Sequence, residues 1–210
     1  MALSVVQRNL LANFAGKATA VLVAIAFTPV YIRFLGMEAY GLIGIYMSLF
    51  AVLSVLDLGL GTTLNRELAR RSALPERSPD TATMVRSLEV VVLLIAGILG
   101  TAVFLLAPKI TEIWVHPERL APATVEQSVA LMGLALAAQW PFSLYSGGLM
   151  GIQRQVQLNV LVAVLALLRG VGAVVILARF SASIEAFFGW QIAMSVLQTR
   201  YGSTPMSMRR

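Results

Sequence analysis

Long apolar runs separated by short polar segments constrain this chain more than any other feature of its sequence. Five runs are clear, at residues 10–32, 40–64, 88–107, 125–150 and 156–178. A helix needs about 20 apolar residues to cross the hydrocarbon core of a bilayer, and each run reaches that length. Of the 210 residues, 58% are hydrophobic and 12% are charged, about half the charged share of an ordinary soluble domain. We therefore predict an integral membrane protein.

The backbone of these runs is predicted to be helical, because lipid offers no hydrogen-bond partners and the alternating pattern of barrel strands is absent. A sixth apolar run, residues 184–197, falls short of the roughly 18 residues that indicate a span, and polar sequence follows it at once. The sequence therefore predicts an all-α, polytopic transmembrane helical bundle with five complete spans and a short, truncated sixth. We expect residues 1–198 to form one transmembrane lobe and residues 199–210 to be a polar tail outside the native fold.

The distribution of basic residues predicts the orientation, because Lys and Arg collect in cytoplasmic loops. With a cytoplasmic N-terminus, ten basic residues lie on the cytoplasmic side: Arg8, Arg66, Arg70, Arg71, Arg77, Arg86, Arg154, Arg200, Arg209 and Arg210. Four lie on the opposite side: Arg33, Lys109, Arg119 and Arg179. This bias predicts an N-terminus inside the cell.

Several classes of function are excluded by what the sequence lacks. It contains no cysteine and one histidine, His116, so thiolate and histidine-cluster metal sites are excluded. It has no phosphate-cradling P-loop. We therefore predict no enzymatic activity, no catalytic residue, no metal and no cofactor. The net charge of +6 is accounted for by basic loops, so we also expect no nucleic-acid partner.

Four segments carry a family resemblance. These are residues 29–41 (PVYIRFLGMEAYG), 56–61 (LDLGLG), 66–70 (RELAR) and, more weakly, 148–154 (GLMGIQR). In these segments the chain resembles the polysaccharide exporter and O-antigen flippase family of the multidrug/oligosaccharidyl-lipid/polysaccharide exporter superfamily. The resemblance covers about residues 8–197.

This resemblance implies a function in cell-surface polysaccharide biosynthesis. Proteins of the family move lipid-linked, undecaprenyl-type oligosaccharide intermediates across the bacterial inner membrane, through a cavity between two six-helix lobes. Their partners are that substrate, membrane lipids and other polysaccharide-assembly membrane proteins. This chain matches the first lobe, so we expect a truncated fragment that is not a competent transporter alone.

Three polar residues are candidates for the substrate path. Arg169 lies deep in the fifth run, where a central arginine costs about 2.5–3.5 kcal/mol on insertion scales and usually faces a water-filled cavity or an anion. Lys17 and Asn13 lie on one face of the first run, in the polar and small-residue stripe Asn13, Lys17, Ala20, Ala24, Thr28 and Tyr31. A guanidinium matches phosphate oxygens, so Arg169 is predicted to contact the pyrophosphate of the lipid carrier.

Other residues are assigned structural functions. Asp57 is predicted to form a gating or structural ion pair with Arg66 or Lys17, since a buried carboxylate is costly without a partner. Gly36 is predicted to cap a helix with a positive φ. Gly59 and Gly61 are predicted to allow close helix packing, and Pro141 is predicted to kink the fourth span or act as a hinge.

Three other interpretations stay open. A multidrug cation exporter of the same superfamily would favour acidic groups in its spans, whereas Lys17 and Arg169 stand there against Asp57 alone. A membrane polysaccharide polymerase or ligase would need a large outer loop with catalytic side chains, and the longest outer loop, residues 108–124, is short. An inactive product of a truncated reading frame is compatible with the family resemblance.

Overall fold

The fold is described by a computed structural model for residues 5–55, 59–72, 80–115 and 119–207. The regular elements of these residues are all helices, in the order α1 (Val5–Leu35), α2 (Met37–Val55), α3 (Leu60–Ser72), α4 (Asp80–Ile113), α5 (Pro122–Gln139), α6 (Pro141–Gly151), α7 (Gln155–Arg179) and α8 (Ile184–Ser207).

Five helical segments of the described residues are long and apolar enough to cross a membrane. They are Asn13–Leu35, Met37–Ser54, Thr83–Ile113, Pro122–Gly151 and Gln155–Arg179. Large apolar side chains on α1, α4 and α7 are exposed on the surface of the bundle, where lipid would cover them. The predicted all-α, multi-pass membrane bundle is confirmed.

The second span departs from the predicted run 40–64. Helix α2 is described as far as Val55, and residues 56–58 lie outside the described part of the chain. Helix α3 begins at Leu60, directly after Gly59, whose φ of +71° a regular helix does not tolerate. The Gly59 carbonyl then accepts hydrogen bonds from the Thr62 hydroxyl and the Thr63 amide, at 2.7 Å and 2.8 Å. Helix α3 continues to Ser72, so the segment predicted to be a polar loop begins with a helix. Gly36, between α1 and α2, has a φ of +81°, as its position after Leu35 predicts.

The third span is longer than predicted. The predicted run 88–107 ends just before Pro108, whereas α4 passes through Pro108 to Ile113. A proline inside a membrane helix is tolerated where neighbouring helices support the chain on both sides. Val103 and Ala107, just before the proline, are buried against the Val125 and Val129 side chains of α5.

The fourth span is interrupted at Pro141, as the sequence predicts. Helix α5 ends at Gln139 and α6 begins at Pro141, with Trp140 between them in a helical conformation at φ −53° and ψ −46°. Because proline has no N–H to donate, the carbonyl four residues earlier, that of Ala137, loses its regular partner. Helix α8 contacts the adjacent carbonyl, since the Thr199 hydroxyl donates to the Ala138 carbonyl oxygen at 2.7 Å.

The last helix is longer than the apolar run 184–197. Helix α8 extends to Ser207, and it packs against α5, α6 and α7. Beyond residue 197, Gly202 lies against the Phe142 and Tyr145 side chains of α6. The expected end of the helix at Leu197 is therefore wrong, because the polar residues after it find partners inside the bundle. Residues 208–210 lie outside the described part of the chain.

Two hydrophobic clusters hold the helices together. The larger joins α2, α4, α5, α7 and α8 around side chains such as Leu42, Met132 and Phe188, which are fully buried. The smaller joins α3, α4 and α6 around Leu64 and Val92. Helices α1 and α7 also pack side by side along their lengths.

Small residues bring α3 against α6. A Cβ atom on Gly147 would collide with the Gly61 carbonyl, and one on Gly151 would lie 2.6 Å from the Asn65 carbonyl oxygen. Both contacts advance by four residues on each helix, so α3 and α6 run in the same direction. Glycines spaced by four let membrane helices approach to backbone distance; here they are Gly147 and Gly151 of α6, and the Gly61 backbone lies against the first of them.

We expect Gly147→Ala to destabilise the bundle by about 1–3 kcal/mol, the usual cost of overpacking a filled interface. The new methyl group would meet backbone, which cannot rotate away. Thermal unfolding of the purified protein in detergent measures the effect. The control is Gly97→Ala in α4, where an added Cβ meets no atom within 4 Å; equal melting temperatures for the two variants would contradict the close approach of α3 and α6.

Candidate functional site

A cavity of about 280 Å³ opens between α1, α2 and α7, and the end of α5 and part of α8 complete its wall. Most of its lining is apolar or aromatic, as in Val23, Phe27 and Phe50. Its polar lining side chains are few: Tyr31, Tyr46, Gln139, Arg169 and Gln191. Concave apolar sites with a small number of convergent polar groups are the usual form of a ligand site.

Arg169 supplies the charge of this cavity. It lies 14 residues after Gln155 and ten before Arg179, the ends of α7. At 1.5 Å per residue, its Cα is therefore about 15 Å from the nearer end of the helix. A charge at this depth has to be held by polar groups of the protein, because the surrounding lipid cannot solvate it.

Four side chains accept hydrogen bonds from the Arg169 guanidinium. Nη1 donates to Oε1 of Gln191 at 2.9 Å and to Oε1 of Gln139 at 3.4 Å. Nη2 donates to Oε1 of Gln198 at 2.9 Å and to Oγ of Ser195 at 3.4 Å. We call Arg169 and its four acceptors, Gln139, Gln191, Ser195 and Gln198, the arginine cage. Its two glutamine contacts at 2.9 Å are the stronger bonds, since 3.4 Å is at the long limit for a hydrogen bond.

The surrounding helices hold the cage in place. The Tyr46 hydroxyl on α2 donates to Oε1 of Gln139 at 2.9 Å. The Trp190 indole donates to the Arg169 carbonyl at 3.1 Å. Gly170 and Gly172 follow Arg169 on α7 and leave room for the rings of Phe27 and Trp190, respectively. These contacts fix α7 between α1 and α8, and they orient Arg169 toward the cavity.

The arginine cage carries a positive charge that no negative charge compensates among the described residues. Each of the four acceptors is a neutral amide or hydroxyl, and no carboxylate is bonded to Arg169 within the described ranges. The ion pairs observed there belong instead to α3, where Arg70 and Arg71 hold Glu67 at 2.7 Å and 2.6 Å. Dipoles alone therefore hold the positive charge of Arg169. A cation in this state attracts an anion.

The stripe predicted on α1 reaches the same cavity. Its members Ala20, Ala24 and Tyr31 line the cavity opposite Arg169. Asn13 lies away from it and accepts a 2.6 Å hydrogen bond from Nδ2 of Asn159 on α7, so in this structure Asn13 joins two helices. Lys17 belongs to α1, and its side chain lies outside the described part of the structure.

The predicted ion pair of Asp57 is not observed, because Asp57 lies outside the described residues. Arg66 is exposed on α3. Its neighbour Glu67 has the basic partners instead: hydrogen bonds from Arg70 and then from Arg71 lower the pKa of Glu67 to about 2. These bonds place the carboxylate on the surface of α3, one turn before two arginines, where they support the helix.

A second cavity, of about 310 Å³, lies between the start of α2 and the facing ends of α4 and α5. Its carboxylate, Glu38, accepts hydrogen bonds from the Arg119 and Leu120 amides at 3.0 Å to 3.1 Å. Glu38 therefore fixes the segment that leads into α5. A carboxylate that already accepts several backbone N–H bonds has a structural function, so we assign the functional site to the Arg169 cavity.

Sequence reasoning missed the α8 half of the arginine cage. Gln191, Ser195 and Gln198 follow each other at steps of four and three residues, the spacing of one helix face. This polar stripe was visible in the sequence, but ending the helix at Leu197 separated Gln198 from the other two. Gln191 and Ser195 are 5% and 0% exposed, so the stripe faces the bundle.

We expect Thr199→Val to lower the free energy of unfolding by about 1 kcal/mol, the usual net value of one hydrogen bond. The substitution keeps the shape of the side chain and removes the hydroxyl that binds the Ala138 carbonyl. Thermal unfolding in detergent measures the loss. Thr199→Ser retains the hydroxyl and is the control; if the serine variant loses as much stability as the valine variant, α8 does not cap the proline break.

Comparison of the chain with protein-family models, with curated proteins and with solved structures finds no match. Its function is therefore inferred from the arginine cage, the cavity and the membrane-spanning bundle that surrounds them.

Proposed function

We propose that this chain is the substrate-binding lobe of a translocator of lipid-linked oligosaccharides. The observation that carries the proposal is the uncompensated charge of Arg169 at a cavity among membrane-spanning helices. An oligosaccharide carrier lipid joins an anionic diphosphate to a long apolar chain. The cavity offers matching surfaces to both parts, because a cation and two amides lie beside an apolar wall.

The charge of the cavity favours this substrate over an organic cation. A cation exporter needs acidic groups where its substrate binds, and no Asp or Glu lines the cavity among the described residues. Arg169 would repel an organic cation at a depth where water does not screen the repulsion. The same charge attracts a diphosphate, which guanidinium groups bind well.

The setting of the cavity also supports transport of a lipid. Met47 and Phe50, on α2, line the cavity and are 54% and 37% exposed on the surface of the bundle. An apolar chain could therefore remain in the bilayer while its head group reaches Arg169. We place the chain in the bacterial inner membrane with a cytoplasmic N-terminus, on the family resemblance and the charge of the loops.

Site-specific photocrosslinking tests the proposal. A benzophenone amino acid at Met47, in cells that make a lipid-linked oligosaccharide, should yield an adduct that a glycan-specific antibody detects. We expect Arg169→Gln to reduce this adduct at least fivefold at equal protein level, because the attraction for the diphosphate is lost. The control position is Ile98 on α4, which is 67% exposed and does not line the cavity. Equal adducts at Met47 and Ile98, or none at Met47, would refute the proposed function.

The proposed orientation is tested by single cysteines, since the chain has none of its own. Ala69, on α3, and Ala121, before α5, are both exposed. We expect an impermeant maleimide added to intact cells to label Ala121→Cys and to label Ala69→Cys only after the membrane is permeabilised. Labelling of Ala69→Cys alone in intact cells would reverse the orientation.

A further inference from the structure

The orientation of two amide groups in the arginine cage is fixed by their partner. A guanidinium has only hydrogen-bond donors, so the oxygens of Gln139 and Gln191, and not their nitrogens, must face Arg169. With Oε1 of Gln139 turned toward Arg169, the same oxygen also accepts the hydrogen bond from the Tyr46 hydroxyl. The Nε2 groups of both glutamines therefore point away from the guanidinium.

These two Nε2 groups have no hydrogen-bond partner among the described residues. Both glutamines line the cavity. Each Nε2 carries two N–H donors, whereas the Nη hydrogens of Arg169 are already directed at the oxygens of the cage. In the cavity, Arg169 thus supplies the charge, and the two amides supply free donors.

The guanidinium also strengthens these donors. A hydrogen bond accepted by an amide oxygen polarises the amide and makes its N–H groups better donors, in the cooperative manner of hydrogen-bond chains. For Gln191 the polarising group is a cation at 2.9 Å. For Gln139 the Tyr46 hydroxyl and the cation act on the same oxygen.

We propose that Gln139 and Gln191 are the residues that select the head group, by offering their free N–H donors to a ligand beside Arg169. The favoured ligand is an anion that only accepts hydrogen bonds, such as the diphosphate of a polyprenyl carrier. An ammonium head group is rejected because it carries a positive charge and must donate. This inference rests on the proposed function and names the atoms that would recognise its substrate.

Gln198 provides a matched control within the same cage. Its Oε1 accepts from Arg169 at 2.9 Å, the same distance as that of Gln191. Gln198 does not line the cavity, whereas Gln191 does. Replacement of either glutamine removes one equal acceptor from Arg169, but only replacement of Gln191 removes donors from the cavity.

The experiment measures binding of farnesyl diphosphate, a short polyprenyl diphosphate, to the purified chain in lipid nanodiscs by calorimetry. Farnesol, which has the same tail without the anion, reports binding of the apolar part. We expect Gln191→Leu and Gln139→Leu to weaken farnesyl diphosphate binding about tenfold each, the value of one hydrogen bond to a charged group. Farnesol binding should be unchanged. Gln198→Leu should weaken farnesyl diphosphate binding less than Gln191→Leu does, because it removes an equal acceptor from Arg169 but no donor from the cavity.

Two further variants keep the test decisive if a leucine variant does not fold. Gln191→Glu and Gln198→Glu retain an acceptor for Arg169 and add the same negative charge at the same distance from it. We expect Gln191→Glu to weaken farnesyl diphosphate binding more than Gln198→Glu, because only at position 191 is a cavity donor replaced by a carboxylate that faces the anionic ligand. Equal effects of the 191 and 198 substitutions would overturn the inference and leave the proposed function standing. Absence of diphosphate binding by the unaltered chain would overturn both.

Discussion

The satisfaction of one buried charge determines how the central helices are arranged. Arg169 lies in the middle of α7, where lipid cannot solvate a guanidinium. Its hydrogen bonds reach Gln139 at the end of α5 and three residues of α8, and Gln139 extends the network to Tyr46 on α2. Apolar packing between membrane helices has no strong directional preference, since lipid tails are as apolar as the side chains. The arginine cage therefore supplies much of the specificity with which α2, α5, α7 and α8 meet.

Much of the fold follows from the sequence, because the length of an apolar run indicates whether a helix can span a membrane. The five apolar runs correspond to the five long apolar helical segments, and the break at Pro141 lies where the missing N–H predicts it. The same rule, that proline interrupts a helix, would end the third span at Pro108. It fails there because it considers a helix without its neighbours. Val103 and Ala107, just before the proline, are buried in the cluster that joins α4 to α5, and that packing is a tertiary property.

The candidate site was predicted only in part. The depth of Arg169 in its run and the small-residue stripe on α1 are local patterns, and Arg169 lines the same cavity as Ala20, Ala24 and Tyr31 of that stripe. The acceptors of the cage come from α5 and α8, at separations of 22 to 30 residues along the chain. A sequence shows that a buried arginine needs partners, but it does not show which helix will deliver them. Gln198 was placed just beyond the sixth apolar run because hydropathy falls after Leu197, whereas its amide oxygen binds Arg169 inside the bundle.

The contacts of Gln198 and Thr199 have a mechanical consequence. These neighbouring residues of α8 bond to different helices: Gln198 to Arg169 on α7, and Thr199 to the Ala138 carbonyl at the end of α5. Successive residues on a helix point about 100° apart, so the two bonds set both the rotation of α8 and its height. A turn or slide of α8 by one residue would break them together. Helix α8 is therefore held at the level of the proline break by two bonds to different helices. A movement of α8 would alter the surroundings of Arg169 and the joint between α5 and α6 at the same time.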